Sequence, residues 1–292
     1  MQKKILLTGA TGFLGSHLLE SFISNGIEVA ILKRSSSDVW RISHLLHKVK
    51  AYNTDEIKLK LLFEEFKPDI IVHTACSYDR NNEGLINIIS SNLILGLELL
   101  EESIRSKVRT FINTDSLLPR RINDYSLSKA QFTEWLSVRS NQIQVVNFKI
   151  EHMYGVRDDD KKFIPWLINR MIYSNEQINL TSGVQKRDFI YITDVVDAYN
   201  LIIQKLELFP SWNEFDLGTN TFTEVKEFIL AIAELLEEKY NKIIIQRLNF
   251  GSIPYRKEEI MMPNVNNSKL IALGWSAKIG IEDGIDNIIK EY

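Results

Sequence analysis

Tyr125 and Lys129 stand four residues apart in Tyr125-Ser126-Leu127-Ser128-Lys129, and on a helix that spacing puts both side chains on one face. An ammonium beside a phenol favours the phenolate, which adapts tyrosine, otherwise a poor acid, to proton transfer near neutral pH. Upstream, Thr110-Phe111-Ile112-Asn113-Thr114-Asp115-Ser116 reads as a buried strand ending in polar residues, the place where open parallel sheets put their ligands. Thr114 is the candidate to hydrogen-bond a substrate oxygen, with Ser116 as the alternative. The chemistry these residues suit is proton transfer at a carbonyl or alkoxide oxygen.

A second chemistry lies at the start of the chain. Ile5-Leu6-Leu7-Thr8-Gly9-Ala10-Thr11-Gly12-Phe13-Leu14-Gly15 joins an apolar run to three glycines and then to Ser16-His17-Leu18-Leu19-Glu20, which can open a helix. It reads as strand, tight turn, helix. Gly9 allows the turn, Gly12 leaves no Cβ in the way of a phosphate, and Gly15 lets the helix pack close to the strand. A pyrophosphate can then sit on the backbone around Thr11, Phe13 and Leu14 at the positive end of the helix. Glu28 to Leu32 completes a strand, helix, strand unit of about thirty residues, as a dinucleotide site requires.

The residues after that second strand bear on the choice of cofactor. Lys33-Arg34-Ser35 offers two cations and a hydroxyl where NAD enzymes usually carry an acidic residue, and no acidic residue is close in sequence. This suits a ribose bearing a 2′-phosphate, so NADP(H) is the expected cofactor, with Lys33, Arg34 and Ser35 as contacts. A solvated loop is the plainer reading, and NAD(H) held through backbone stays open. Asn53 and Thr54 are candidate adenine neighbours. The apolar strand Asp69 to Cys76 brings Thr74 and Ala75 to the cofactor, whereas His73 reads as an inner-strand residue.

The elements that must position these groups are those of an α/β protein. Ile57 to Phe66 has helical spacing, Leu85 to Glu102 reads as a long helix with apolar residues all round, and Glu214 to Gly218 reads as a last strand returning to the sheet. The expectation is a Rossmann-type doubly wound parallel sheet with a smaller, interrupted C-terminal substrate-binding region. Residues 1–165 form the nucleotide-binding domain, with 190–218 returning to it; residues 166–189 and 219–292 form the substrate region. At 292 residues, 45% hydrophobic and 25% charged, the chain can bury a full core. A net charge of −3 gives no bulk attraction to nucleic acid or anionic membrane. The single cysteine, Cys76, excludes an internal disulfide and a cysteine-rich metal site, and no metal is expected. With no signal peptide or membrane span legible, a cytoplasmic protein is expected.

The glycine spacing together with Thr114, Tyr125 and Lys129 resembles the extended short-chain dehydrogenase/reductase superfamily, the NAD(P)-dependent epimerases and dehydratases. Lys149-Ile150-Glu151-His152-Met153-Tyr154-Gly155, Arg187-Asp188-Phe189-Ile190-Tyr191-Ile192-Thr193-Asp194-Val195 and Leu273-Gly274-Trp275 extend the likeness over nearly the whole chain. Glu151 to Gly155, Lys162-Phe163-Ile164 and Leu180 to Phe189 look most like sugar-nucleotide 4-ketoreductases of the CDP-abequose and CDP-paratose synthase type. That resemblance implies NADPH-dependent reduction of the 4-keto group of a nucleotide-linked 6-deoxy or 3,6-dideoxyhexose, CDP-linked, in surface polysaccharide (O-antigen) synthesis. It implies that Lys129 also holds the nicotinamide ribose and that Arg187 and Arg256 bind the substrate pyrophosphate. Asp115, Glu151, Lys162 and Phe163 are further candidate substrate contacts. It also implies a homodimer built on the Leu85 to Glu102 helix. His152 stands where most relatives have asparagine, and reads as a nicotinamide-end, substrate or structural residue. The 4,6-dehydratases carry glutamate where this chain has Ser116, so the base for dehydration is missing. An NAD-dependent 4-epimerase and a non-catalytic NAD(P)-sensing protein are the competing readings.

Overall fold

Parallel strands covered on both faces must be apolar, and the central runs at residues 5–7, 29–32 and 70–72 are. A computed structural model gives the structure of residues 3–78 and 84–292. Its sheet contains β1 (Lys4–Thr8), β2 (Glu28–Lys33), β3 (Lys50–Asn53), β4 (Ile70–His73), β5 (Thr110–Ser116) and β6 (Gln144–Ile150). The seventh strand, Trp212–Leu217, comes from much later in the chain and lies on the edge beside β6. From that edge the order runs through β6, β5, β4, β1, β2 and β3. The order reverses between β4 and β1, where Thr8 pairs with His73, and such a reversal opens a ligand crevice at the carboxyl ends of the strands.

Helices α1 (Phe13–Ser24), α2 (Leu59–Phe66) and α5 (Asp124–Arg139) cover the sheet. Leu6, Phe63, Phe66, Phe111, Phe132 and Leu136 belong to one buried cluster.

Between β4 and β5 the structure departs from the sequence reading. Instead of one regular helix there are α3 (Leu85–Ile89), a π turn at Ser90–Ile94, and α4 (Leu95–Arg105). The additional residue in the wider turn brings Asn92 fully into the interior. There its amide meets Ser77 and Ser128, and these bonds satisfy a polar group that would otherwise be costly to bury.

Contacts divide the chain into two compact units. The first is Met1–Ile150 with Val196–Asp216; the second is Glu151–Val195 with Leu217–Tyr292. Residues 151–165, 190–195 and 217–218, assigned from sequence to the nucleotide domain, thus pack with the second unit. That unit pairs His152–Tyr154 in parallel with Phe189–Tyr191, and Ile178–Leu180 in parallel with Leu248–Phe250. Its interior is aromatic: Phe189 stacks on Phe228 at 3.9 Å, with Tyr154 edge-on to both. Among the described residues, no helix is long and apolar enough to cross a membrane.

Candidate active site

The glycine turn is tight enough to decide its residue types. Gly9 has φ +71°, and a Cβ there would lie 2.6 Å from the Ala75 nitrogen; a Cβ on Gly15 would lie 2.0 Å from the Gly9 carbonyl oxygen. Thr74 Oγ1 donates to the Thr8 carbonyl at 2.7 Å, which closes the ends of β1 and β4 against the turn and brings Thr74 and Ala75 to Gly9. Gly12 begins α1 without any side-chain cap, so the first N–H groups of the helix, at Phe13 and Leu14, have no side-chain acceptor at the N-cap. An exposed glycine at an uncapped helix start is a cradle that a Cβ would fill, and it fits a dinucleotide pyrophosphate.

At the adenosine end, the parallel register of β2 and β3 sets Lys33 opposite Asn53. Lys33 Nζ donates to Asn53 Oδ1 at 2.8 Å, and the Thr54 nitrogen donates to the Lys33 carbonyl. Two residues further along both strands the same register brings Asp55 to Ser35. The Asp55 carboxylate accepts from the Ser35 nitrogen at 2.9 Å and from its hydroxyl. Those hydrogen bonds from Ser35, more than the nearby Lys33 charge, hold the Asp55 carboxyl below its usual range. The loop is therefore not purely basic, as the sequence suggested: an acid distant in the chain is adjacent in space. Arg34 is exposed, and Arg41, which was not foreseen, reaches the Thr11 carbonyl at 3.4 Å from its stack on Trp40.

The strand expected to end at the reaction centre does run Thr110–Ser116. Asn123 caps α5 by accepting from the Ser126 nitrogen at 2.8 Å, while Ser126 Oγ accepts from the Asn123 nitrogen. This fixes the helix start, with Tyr125 in the first turn and Lys129 one turn later. Lys129 is buried, and its charge, added to a larger effect of burial, pushes His73 down to about 3. His73 is consequently neutral; its Nδ1 lies 2.8 Å from Thr8 Oγ1, an inner-strand position as expected. Thr114 Oγ1 is 2.7 Å from the hydroxyl of Tyr199, which stacks on Phe148. Ser116 Oγ accepts from the Leu118 nitrogen and so shapes the loop.

Asp115 faces the other side of its strand from Thr114. Its carboxylate is buried and accepts from Thr133 Oγ1 at 2.8 Å and from Asn147 Nδ2, fastening α5 to β6. Strand alternation sends the two apart, since neighbours on a strand point to opposite faces: Thr114 meets Tyr199, and Asp115 meets α5 two turns beyond Tyr125.

In the second unit, His152 Nδ1 lies 2.8 Å from Glu151 Oε2. Lys162 pairs with Asp158 at 2.7 Å, and Phe163 leans on Trp166, both rings being partly exposed. Arg187 is paired with Glu259 and donates to the carbonyls of Lys186 and Ile260. Arg256 is exposed on the loop before Glu259. Asp188, buried beside Arg187, accepts from Thr219 and Asn220, and burial pushes its carboxyl up despite them.

Tyr199, Asn92 and Asp55 escaped the sequence reading. Each acts through a partner 15 to 85 positions away. For Asp55 alone a signal existed, the parallel pairing of β2 with β3.

The fold and these residues define an NAD(P)-dependent oxidoreductase. Residues 5–218 match the NAD dependent epimerase/dehydratase family, and the chain belongs to that family. It is 32% identical to the CDP-abequose synthase of Salmonella typhimurium over 99% of this chain and 98% of that protein. It is 34% identical to the CDP-abequose synthase of Salmonella muenchen with the same coverage. Among solved structures, the UDP-glucuronic acid 4-epimerase of Bacillus cereus in complex with UDP-glucuronic acid and NAD superposes with a TM-score of 0.83. The two share 21% identity over 99% of this chain and 100% of that one.

Proposed function

We propose that this protein is an NADPH-dependent 4-ketoreductase of a nucleotide-linked 6-deoxy or 3,6-dideoxyhexose, CDP-linked, serving surface polysaccharide (O-antigen) synthesis. The observation that carries the reading is the buried Lys129 one turn after Tyr125, on a helix whose start is fixed by the Asn123 cap. The full-length likeness to two CDP-abequose synthases supports it.

Gly9, Thr11, Gly12, Phe13, Leu14 and Gly15 would hold the pyrophosphate. Lys33, Arg34, Ser35, Asn53 and Thr54 would hold the adenosine end, and Thr74 and Ala75 would border the dinucleotide, which when bound would supply a hydride, two electrons, for the sugar C4. Thr114 hydrogen-bonds the C4 oxygen and orients the carbonyl. As that oxygen becomes an alkoxide, Tyr125 transfers its phenolic proton to it and is left as phenolate. Lys129 stabilises the phenolate by its charge and also holds the nicotinamide ribose. Glu151, His152, Lys162, Phe163, Arg187 and Arg256 are the substrate-side residues of this reading, Arg187 exchanging Glu259 for the substrate's pyrophosphate. Ser116 stands where a dehydratase needs a carboxylate base, so reduction rather than dehydration is the reaction.

Tyr125→Phe tests the reading. It should abolish turnover of a CDP-4-keto-dideoxyhexose while leaving NADPH affinity nearly intact, and a near-normal rate overturns the mechanism. The Asp55 carboxylate beside Ser35 favours a second reading, a 4-epimerase that retains NAD. Titration with both cofactors separates the two: the reductase binds NADPH at least about tenfold more tightly, roughly 1.4 kcal/mol, and the epimerase is purified with NAD that dialysis does not remove.

We also propose a homodimer. A groove of about 300 Å³ lies along α4 and α5, lined by Leu97, Leu100, Ile104 and Trp135 together with Glu101, Arg139 and Gln142. Trp135 and Val138 remain exposed beside it. Apolar helix faces left open in this way suit a second copy of the chain.

A further inference from the structure

Tyr78 follows the last residue of β4 by five positions, and its ring is stacked on Tyr125 with centroids 4.5 Å apart and planes 25° apart. The stack is held from behind by one amide. Asn92 Oδ1 accepts from the Ser77 nitrogen at 2.7 Å, and Asn92 Nδ2 donates to the Ser77 carbonyl at 2.9 Å and to Ser128 Oγ at 3.0 Å. Ser128 Oγ in turn donates to the Tyr125 carbonyl at 2.8 Å. The residue before Tyr78 and the helical turn carrying Tyr125 are thereby fastened to a single buried side chain. Stacking of two rings is ordinarily worth little against free rotation in a loop, but here both backbones are fixed first.

We propose that Tyr78 is a positioning residue for Tyr125: its ring fixes the plane of the Tyr125 ring, its hydroxyl donates a hydrogen bond to the Tyr125 oxygen, and Asn92 keeps the two together. The proposal rests on reading Tyr125 as the proton donor. A hydrogen bond given to a phenolate stabilises the charged form, so Tyr78 assists the loss of the donor's proton in the same sense as Lys129 does. Tyr78 suits the part because it keeps its own proton: although the ring is 38% exposed, the adjoining Cys76 and Tyr125 side chains hold its phenol well above the usual tyrosine range.

The test is a pH titration followed by NMR of protein labelled at tyrosine 13Cζ, which reports each phenol separately and needs no substrate. Tyr78→Phe keeps the ring and removes the hydroxyl; it should raise the Tyr125 midpoint by about half to one pH unit. Tyr125→Phe should lower the Tyr78 midpoint, since the coupling is mutual. If the Tyr125 midpoint in Tyr78→Phe stays where it is in the wild-type protein, the proposal fails. Turnover of Tyr125→Phe distinguishes this failure from that of the underlying reading. An inactive variant with an unmoved midpoint in Tyr78→Phe removes Tyr78 alone, whereas an active one removes the proton-donor assignment even where the two phenols are coupled.

Discussion

Thr114 Oγ1 and the Tyr199 hydroxyl lie 2.7 Å apart although 85 positions separate them in the chain. Either group can donate, but burial holds the Tyr199 phenol far above its ordinary value, so it is always protonated and able to give its proton to Thr114. Thr114 then keeps its own hydrogen for a carbonyl oxygen. Tyr199→Phe preserves the stack on Phe148 and removes this donor. With roughly 1 kcal/mol for a hydrogen bond, kcat should fall about five- to tenfold with NADPH affinity unchanged. Steady-state rates and a cofactor titration check this; an unaltered kcat would mean that Thr114 is oriented by something else.

The glycine turn separates folding from binding. Gly15→Ala puts a methyl 2.0 Å from a backbone oxygen, so both the thermal midpoint and dinucleotide affinity should drop. Gly12→Ala meets only the Gly9 oxygen, at 3.3 Å, so the protein should remain folded, with dinucleotide affinity reduced at least about tenfold because the methyl lies in the phosphate's path. Thermal unfolding and NADPH fluorescence titration of both variants distinguish the two effects.

Asp55 sets a negative charge on the loop expected to receive a 2′-phosphate. Asp55→Asn keeps an acceptor for Ser35 and removes the charge, so the ratio of NADPH to NADH affinity should rise several-fold, most at low ionic strength. A ratio indifferent to the substitution would show that the 2′ position lies beyond reach of Asp55.

His73 predicts an acid sensitivity. The unfolded chain takes up a proton near pH 6.5, whereas His73 in its buried place does so only at about 3. Its contribution is complete above pH 6.5 and is lost on acidification at up to about 1.4 kcal/mol per pH unit until the lower value is reached. His73→Asn retains a partner for Thr8 and should flatten the fall in stability between pH 6.5 and about 4.5, measured by denaturant unfolding. A slope equal to that of the wild type assigns the sensitivity to other groups.

How far the sequence spoke depended on the range of the signal. Gly9, Gly12 and Gly15, or Tyr125 and Lys129, declare themselves because their geometry is set within a turn or two of chain. The strand Thr110–Ser116 was equally plain, but the opposite facing of Thr114 and Asp115 needed the pleat as well as the polarity. Asp55 was hidden because a parallel register, not proximity in the chain, brings it to Ser35. The π turn was hidden for another reason: Leu85 to Glu102 is apolar all round, so a change of helical phase leaves no break in the pattern, and the bonds that hold Asn92 run to Ser77 and Ser128. Arg187 entered the sequence reading only through resemblance, as a candidate pyrophosphate ligand, and its pairing with Glu259, 72 positions on, was not legible.

The groove along α4 and α5 makes oligomeric state measurable. Trp135→Glu should convert a dimer to a monomer in sedimentation velocity without loss of helical content, since Trp135 is 47% exposed. A wild-type chain that sediments as a monomer at tens of micromolar concentration would leave the dimer without support.

The first unit is closed by a piece of chain made late. Until Val196–Asp216 has been synthesised, β6 is a bare edge and Thr114 has no Tyr199, yet every glycine of the turn and both Tyr125 and Lys129 already exist. An emerging chain therefore passes through a stage with a nucleotide cradle but an unfinished sheet, its open edge offering unpaired backbone to any neighbouring strand. On a ribosome the hazard lasts as long as it takes to translate Glu151–Val195 and reach Leu217. A cradle that engages its dinucleotide during that interval would act as its own chaperone, steadying β1 and β4 before the last strand arrives.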